Sequence, residues 1–257
     1  MTAKERRQIQ LKKKRMRRLK RRLKAYAMRV LFLSVLFFLC VLVIQGGLLL
    51  LKSSEKVEDV FQGARIVENK EEERAEGSPL IVLDAGHGGR DQGTSSGKAL
   101  EKEINLSVVQ KLAQQLENAG AAVLLTREDD TKIGLNARAD YANQNQAEYF
   151  VSLHCNYCEE DAGVKGLECY YRDGSADGKA LAEQIVQKMD SEEQISCRGT
   201  RIGDFRVLNN TEMPAVLVEM GYLSNRGECA KLTEEEYQKL LAKKLAEGIL
   251  AVVSPQP

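Results

Sequence analysis

The apolar positions of this chain fall into two regimes. From Val30 to Leu51 they form one run that contains no charged residue and is interrupted only by Ser34, Gln45 and two glycines. From Leu80 onward they come in short bursts, LIVLD, AAVLLT, YFVSLH, LECYYR and AVLVEM. Bursts of this length read as strands buried on both faces, where near-continuous apolar character replaces strict alternation. Between them the period lengthens. Ile104, Val108, Leu112 and Leu116 recur at four-residue spacing, which predicts a helix over 103–119 stopped by Gly120. Further helices are expected over 135–145 and 176–189, and a short strand at FRVL, residues 205–208. Thr233 and Glu236 fit a capping box for a last helix that carries Tyr237, Leu241 and Leu245 on one face. Strands alternating with helices predict an α/β fold, a mostly parallel central sheet flanked by helices on both sides, preceded by a single N-terminal transmembrane helix.

The long run is what calls for the membrane. Its 22 residues, at about 1.5 Å each, span roughly 30 Å, the thickness of a hydrocarbon core. Residues 1–29 hold fourteen Lys and Arg against one acid, Glu5, a charge of +13; because the whole chain sums to +1, the remainder carries −12. The positive-inside bias then keeps the N-terminus in the cytoplasm and sends the rest across, a single-pass protein of the cell membrane. A cleaved signal peptide is the alternative, but its apolar stretch is usually about 7–15 residues and ends in small residues of A-x-A type. This one is longer and ends in GGLLLLK, which favours an uncleaved anchor. A basic arm beside a membrane span meets anionic lipid head groups, so it does not argue for nucleic acid.

The expected organisation is a basic cytoplasmic arm over 1–29, an anchor over 30–51, a charged linker over 52–78 and one globular domain over 79–254. The linker segments SSEKVEDV and NKEEERAEG hold too few large apolar groups to fold alone. Cysteines beyond the membrane are odd in number: Cys155, Cys158, Cys169, Cys197 and Cys229. At least one is therefore unpaired within a monomer. Cys155 and Cys158 form a C-x-x-C directly after His154; without a second such pair, a structural metal reading is weak, and incidental or disulfide-bonded cysteines are favoured.

The chemistry rests on the only two histidines. His87, in LIVLDAGHGGRDQG, and His154, in YFVSLHCN, each stand where a strand should end, and Glu101 heads a helix between them. Two imidazoles and a carboxylate are ligands of a catalytic zinc that keeps one position open for water. Glu219, closing the burst AVLVEM, can serve that water as a base. His87, His154 and Glu219 all fall at the carboxyl ends of strands, where sites on open α/β sheets form. Taken singly, each is ordinary: a solvated loop histidine, a hydrogen-bonded strand-end histidine, a helix N-terminal carboxylate stabilised by the dipole.

In order along the chain, LDAGHGGRDQG, LEKEINL, LLTRED, VSLHCN and MPAVLVEMGYLSN resemble the motifs of the zinc-dependent N-acetylmuramoyl-L-alanine amidases, over about Leu80 to Leu250. The resemblance implies zinc (Zn2+) held by His87, Glu101 and His154, with Glu219 catalytic. The implied reaction hydrolyses the amide between N-acetylmuramic acid and L-alanine in bacterial peptidoglycan, with Arg90, Arg127, Arg138 or Asn156 as candidates for positioning substrate. The short architecture, with a membrane segment and no added wall-binding repeats, is similar to the branch that processes spore cortex. Ala85 stands where the family usually has proline, and Asn209 where it often has arginine. Cys155 and Cys158 are unusual beside the second histidine. Alternatives are another zinc peptidoglycan hydrolase, a carboxypeptidase or a deacetylase, or a catalytically silent wall-binding module; the motifs do not say whether a protein activator takes part.

Overall fold

The computed structural model describes residues 77–253. The basic arm, the expected transmembrane run and nearly all of the charged linker lie outside the described residues, among which no helix is long and apolar enough to cross a membrane.

The strands are β1 (Leu80–Ala85), β2 (Ser95–Ser96), β3 (Ala99–Leu100), β4 (Ala122–Leu125), β5 (Tyr149–Asn156), β6 (Leu167–Tyr171), β7 (Cys197–Ile202) and β8 (Ala215–Tyr222). The helices are α1 (Glu101–Asn118), α2 (Leu135–Gln144), α3 (Ala176–Asp190), α4 (Arg206–Asn209), α5 (Arg226–Leu232) and α6 (Glu235–Val253). Six strands make one sheet in the order β4-β1-β5-β8-β6-β7, and β2 with β3 forms a small hairpin in front of α1. Neighbours are parallel throughout the sheet except β6 against β8, which run antiparallel. The expected α/β fold with a mostly parallel sheet is therefore what the chain adopts.

Strand alternation divides the sheet between two cores. Ile81, Leu83, Val151, Leu153, Val216 and Val218 face the larger core, which the apolar stripes of α1, α3 and α6 close. Leu80, Val82, Phe150 and Leu217 face a smaller one, covered by Tyr141 and Ala142 of α2 and by Val207 and Leu208 of α4. Helices thus lie on both sides, more thinly on the second. That thinner side is where the polar strand positions point.

Two expectations are corrected, and one strand is added. The segment FRVL is not a strand: Phe205 precedes a single helical turn, α4. A turn sends the consecutive Val207 and Leu208 into the same core, whereas a strand would send them to opposite faces. The strand CRGTRI, β7, was not expected because an edge strand with half-exposed polar side chains lacks an apolar signature. Thr233 does not cap the last helix. Its hydroxyl donates back to the carbonyls of Cys229 and Ala230, finishing α5, and the Glu236 carboxylate accepts from Lys239.

Candidate active site

The ends of β1, β5 and β8 and the start of α1 bring four side chains together. His87 follows β1, Glu101 opens α1, and His154 and Glu219 are paired across β5 and β8. One Glu101 oxygen, Oε1, lies 3.1 Å from His87 Nε2 and 2.9 Å from His154 Nδ1. His87, Glu101 and His154 can each offer one ligand atom within 4.8 Å of the others. The three predicted ligands are therefore brought together, and they are the one such group found among the described residues.

The surroundings fit a cation. His87 Nδ1 lies 3.0 Å from Asp91 Oδ1, and a carboxylate that accepts the Nδ1–H leaves Nε2 as the nitrogen that would bind a cation in place of the proton it shares with Glu101. The other Glu101 oxygen, Oε2, accepts the Thr94 N–H at 2.7 Å, while the Cys155 N–H donates to Oε1 at 3.1 Å. Burial opposes a charge on Glu101, but hydrogen bonds from His154 and His87 outweigh it and hold the carboxyl far below the usual carboxylate range. Burial likewise disfavours the His87 cation, yet Glu101 and Asp91 raise its pKa. An anionic carboxylate drawing two imidazoles to one point is the donor set of a divalent metal. The backbone is cut to suit: a Cβ on Gly93 would stand 2.4 Å from Glu101 Oε2, and one on Gly86 would stand 2.2 Å from the His154 ring.

His87 itself sits at φ +63°, a left-handed conformation that costs a non-glycine residue roughly 1–3 kcal/mol. Two arginines hold it there. Arg138 Nη2 donates to the His87 carbonyl at 2.8 Å, and its Nη1 donates to the Ala85 carbonyl and to Asp84 Oδ1. Arg127 donates to the carbonyls of Ala85, Gly86 and Lys102. Asp84, fully buried in β1, also accepts from Thr126 and Ser152. Burial works against its charge, and Arg138 with these hydroxyls reverses the effect and keeps the carboxyl below its ordinary pKa. Arg127 and Arg138 were candidates for holding substrate; both are about 3% exposed, and their guanidiniums serve the loop backbone. Arg90 is exposed, and Asn156 donates to Glu168 at 3.4 Å.

Glu219 is the odd carboxylate. Its Oε2 is shut off from solvent and has no hydrogen-bond partner, in contrast to every oxygen of Glu101 and Asp84. Burial, opposed by His154 and aided by Glu101 and Glu168, pushes its pKa up to about 7. That is the range in which a carboxylate exchanges protons near neutrality. Asp91 and Asp84 are the site residues that sequence reasoning missed. The aspartate four positions after His87 was a usable signal for the first, and a charged residue inside the run LIVLD for the second.

Four of the five described cysteines, Cys155, Cys169, Cys197 and Cys229, lie in or against the larger core, and Cys158 sits in the loop after β5. Cys155 packs into the larger core, on the strand face opposite His154, and burial raises its thiol well above the ordinary value. All five of the described cysteines are free thiols. Asn209 is exposed and donates to Asp204.

Residues 81–251 match the family described as N-acetylmuramoyl-L-alanine amidase. The Staphylococcus aureus protein LytH, a probable cell wall amidase, is 33% identical over 188 residues, which cover 72% of this chain and 62% of LytH. An N-acetylmuramoyl-L-alanine amidase from Clostridium difficile 630 superposes with a TM-score of 0.67 at 34% identity, over 70% of this chain and 99% of that one. The CwlD amidase of Clostridioides difficile, solved in complex with the GerS lipoprotein, gives a TM-score of 0.62 at 31% identity, over 70% of this chain and 100% of that one. With a matching fold, matching sequence and the two-histidine, two-glutamate site in place, the chain belongs to the N-acetylmuramoyl-L-alanine amidase family and is a peptidoglycan-cleaving amidase.

Proposed function

We propose that this chain hydrolyses the amide between N-acetylmuramic acid and the L-alanine of the stem peptide by means of a zinc ion held by His87, Glu101 and His154, with Glu219 as general base and then general acid. The observation that carries the reading is the contrast between two neighbouring carboxylates. Glu101 is saturated with donors and locked in its charged form, as a ligand should be, whereas Glu219 keeps one oxygen unpartnered and a pKa near 7. When bound, zinc supplies a Lewis acid that polarises the scissile carbonyl and makes a water nucleophilic near neutral pH. The Glu219 carboxylate takes the proton of the attacking water and delivers it to the departing L-alanine nitrogen. Asp91 fixes the His87 tautomer, and Arg138 holds the His87 backbone in place.

The test measures zinc content and turnover on the same samples. Glu219→Gln should keep zinc and lose roughly 10²–10⁴-fold in rate, while Glu101→Ala should lose zinc itself. A Glu219→Gln protein that cleaves at the normal rate, or that has lost its metal, overturns the assignment of roles. Mass spectrometry of digested peptidoglycan separates this amidase from a carboxypeptidase or deacetylase, since only the amidase releases stem peptides with a free L-alanine amine.

The location follows from the substrate and the charge asymmetry. An arm of +13 before an uncharged 22-residue run supports a cytoplasmic N-terminus and an extracytoplasmic domain, where peptidoglycan lies. Protease added to intact protoplasts should digest the domain and spare the arm; a protected domain sinks this topology. The likeness to CwlD, at 31% identity, is no greater than that to the Clostridium difficile 630 amidase at 34%, so the reading stays with the family's reaction and claims no spore-cortex role.

A further inference from the structure

The sheet face that carries Glu219 holds a second buried carboxylate which the reaction does not use. Glu168 in β6 is paired directly with Glu219 in β8, so their Cβ atoms lie about 4.5–5.5 Å apart on one face. Its neighbours Leu167 and Cys169 enter the larger core, and Tyr170 packs against the smaller one, which fixes Glu168 on the side of the site. It is about 3% exposed. It cannot be a second base, because both oxygens are occupied. Oε1 accepts from Arg198 Nε at 2.7 Å and is ion-paired with Arg201, whose Nε lies 3.0 Å away. Oε2 accepts from the hydroxyls of Tyr170 at 2.8 Å and Tyr222 at 3.1 Å, and from Asn156 Nδ2 at 3.4 Å.

Two guanidiniums on one carboxylate leave a net positive charge. Both arginines approach Glu168 through Nε, Arg198 as a hydrogen bond and Arg201 as an ion pair, and neither makes another side-chain hydrogen bond among the described residues. Their side chains stay 37% and 45% exposed, and Arg198 is steadied over the Tyr222 ring at 5.8 Å. The remaining N–H groups form forks of the shape that grips a carboxylate with two parallel hydrogen bonds. Gly199, between the two arginines, lies opposite Glu168 in β7, so the pair stands two strands from Glu219, roughly 10 Å. An extended peptide advances about 3.3 Å per residue, which makes that distance two or three residues past the cleaved bond.

We propose that Arg198 and Arg201, positioned by Glu168, recognise a free carboxylate of the stem peptide two or three residues beyond the scissile amide. The proposal deepens the amidase reading and rests on it.

Two measurements on the full chain test it, with a muramoyl stem peptide in free-acid form and the same peptide with its carboxylates converted to amides. The zinc-loaded wild type should prefer the acid form by about tenfold in kcat/KM, the scale of one charge-assisted contact. In Arg198→Gln and Arg201→Gln that preference should fall towards unity, through KM rather than kcat, with Arg→Lys restoring part of it. In chelator, where no turnover occurs, titration calorimetry should show the same preference in binding of the released peptides, and the same loss in the variants. Unchanged zinc content and thermal midpoint confirm that the variants fold. A wild type indifferent to amidation, or variants that keep the wild-type preference, overturns the proposal. A wild type that binds the acid peptide selectively yet cleaves neither form would instead overturn the amidase reading, and this recognition of a cleaved substrate with it.

Discussion

Replacing Glu219 by Gln should make the metal-free protein more stable at alkaline pH even as it disables catalysis. The carboxyl is buried with Oε2 unpartnered, and its pKa rises from 4.5 to about 7. Between those values the folded state holds a proton that the unfolded state has released, so stability falls as pH rises from the ordinary value and the full penalty applies above about 7. A rise of about 2.5 units at 1.36 kcal/mol per unit gives roughly 3 kcal/mol, an upper figure because some solvent reaches the residue. Glutamine has nearly the same shape and cannot ionise, so it escapes the penalty. The assay is urea unfolding of the chelator-treated chain, wild type and variant, at about pH 4 and about pH 8. Near pH 4 the two should unfold together; near pH 8 the variant should be more stable by about 2–3 kcal/mol. A difference that does not change with pH, or a variant less stable at pH 8, would refute the claim that Glu219 is held against its own solvation.

Asp84→Asn should be as damaging as Glu219→Gln is benign, because it strands the buried Arg138 cation without its anion, a loss of about 3–5 kcal/mol. At about 2–4 °C per kcal/mol for a domain of this size, the thermal midpoint should fall by roughly 6–20 °C, and a shift under about 2 °C would show that the pair is not needed. Gly93→Ala should abolish zinc binding while circular dichroism stays as in wild type, since the new Cβ collides with Glu101 Oε2 and the residue is held at φ +66°; full zinc occupancy would refute it.

The parts of the fold that were legible in the sequence are those whose burial is uniform. LIVLDA is buried at all six positions, and α1 keeps Ile104, Val108, Leu112 and Leu116 against the larger core, so periodicity alone located both. What escaped was polar or one-sided. β7 lies at a sheet edge, and α4 is too short to show a period. Of the site, the ligands were legible because the chain has only two histidines and each ends a strand. The supporting shell was not, because Asp84, Arg127 and Arg138 act through backbone carbonyls and a salt bridge that join β1, the loop after β4, and α2. Separations of 42 to 54 residues leave no local pattern to read.

Core and site are specified by one register. Along β5, Val151, Leu153 and Cys155 enter the larger core, and Ser152 and His154 point to the other side, where Ser152 meets Asp84 and His154 meets Glu101. On β8 the same alternation sends Val218 and Met220 inward and leaves Glu219 beside His154. Because side chains alternate with a period of two, slipping either strand by one residue would put an apolar residue where each catalytic group stands and bury the polar one among leucines and valines. The hydrophobic effect, acting on residues that never touch substrate, therefore rejects every register in which these strands slip by an odd number of residues. Only the last adjustments, the His87 backbone and its tautomer, are left to the polar contacts of Arg138 and Asp91.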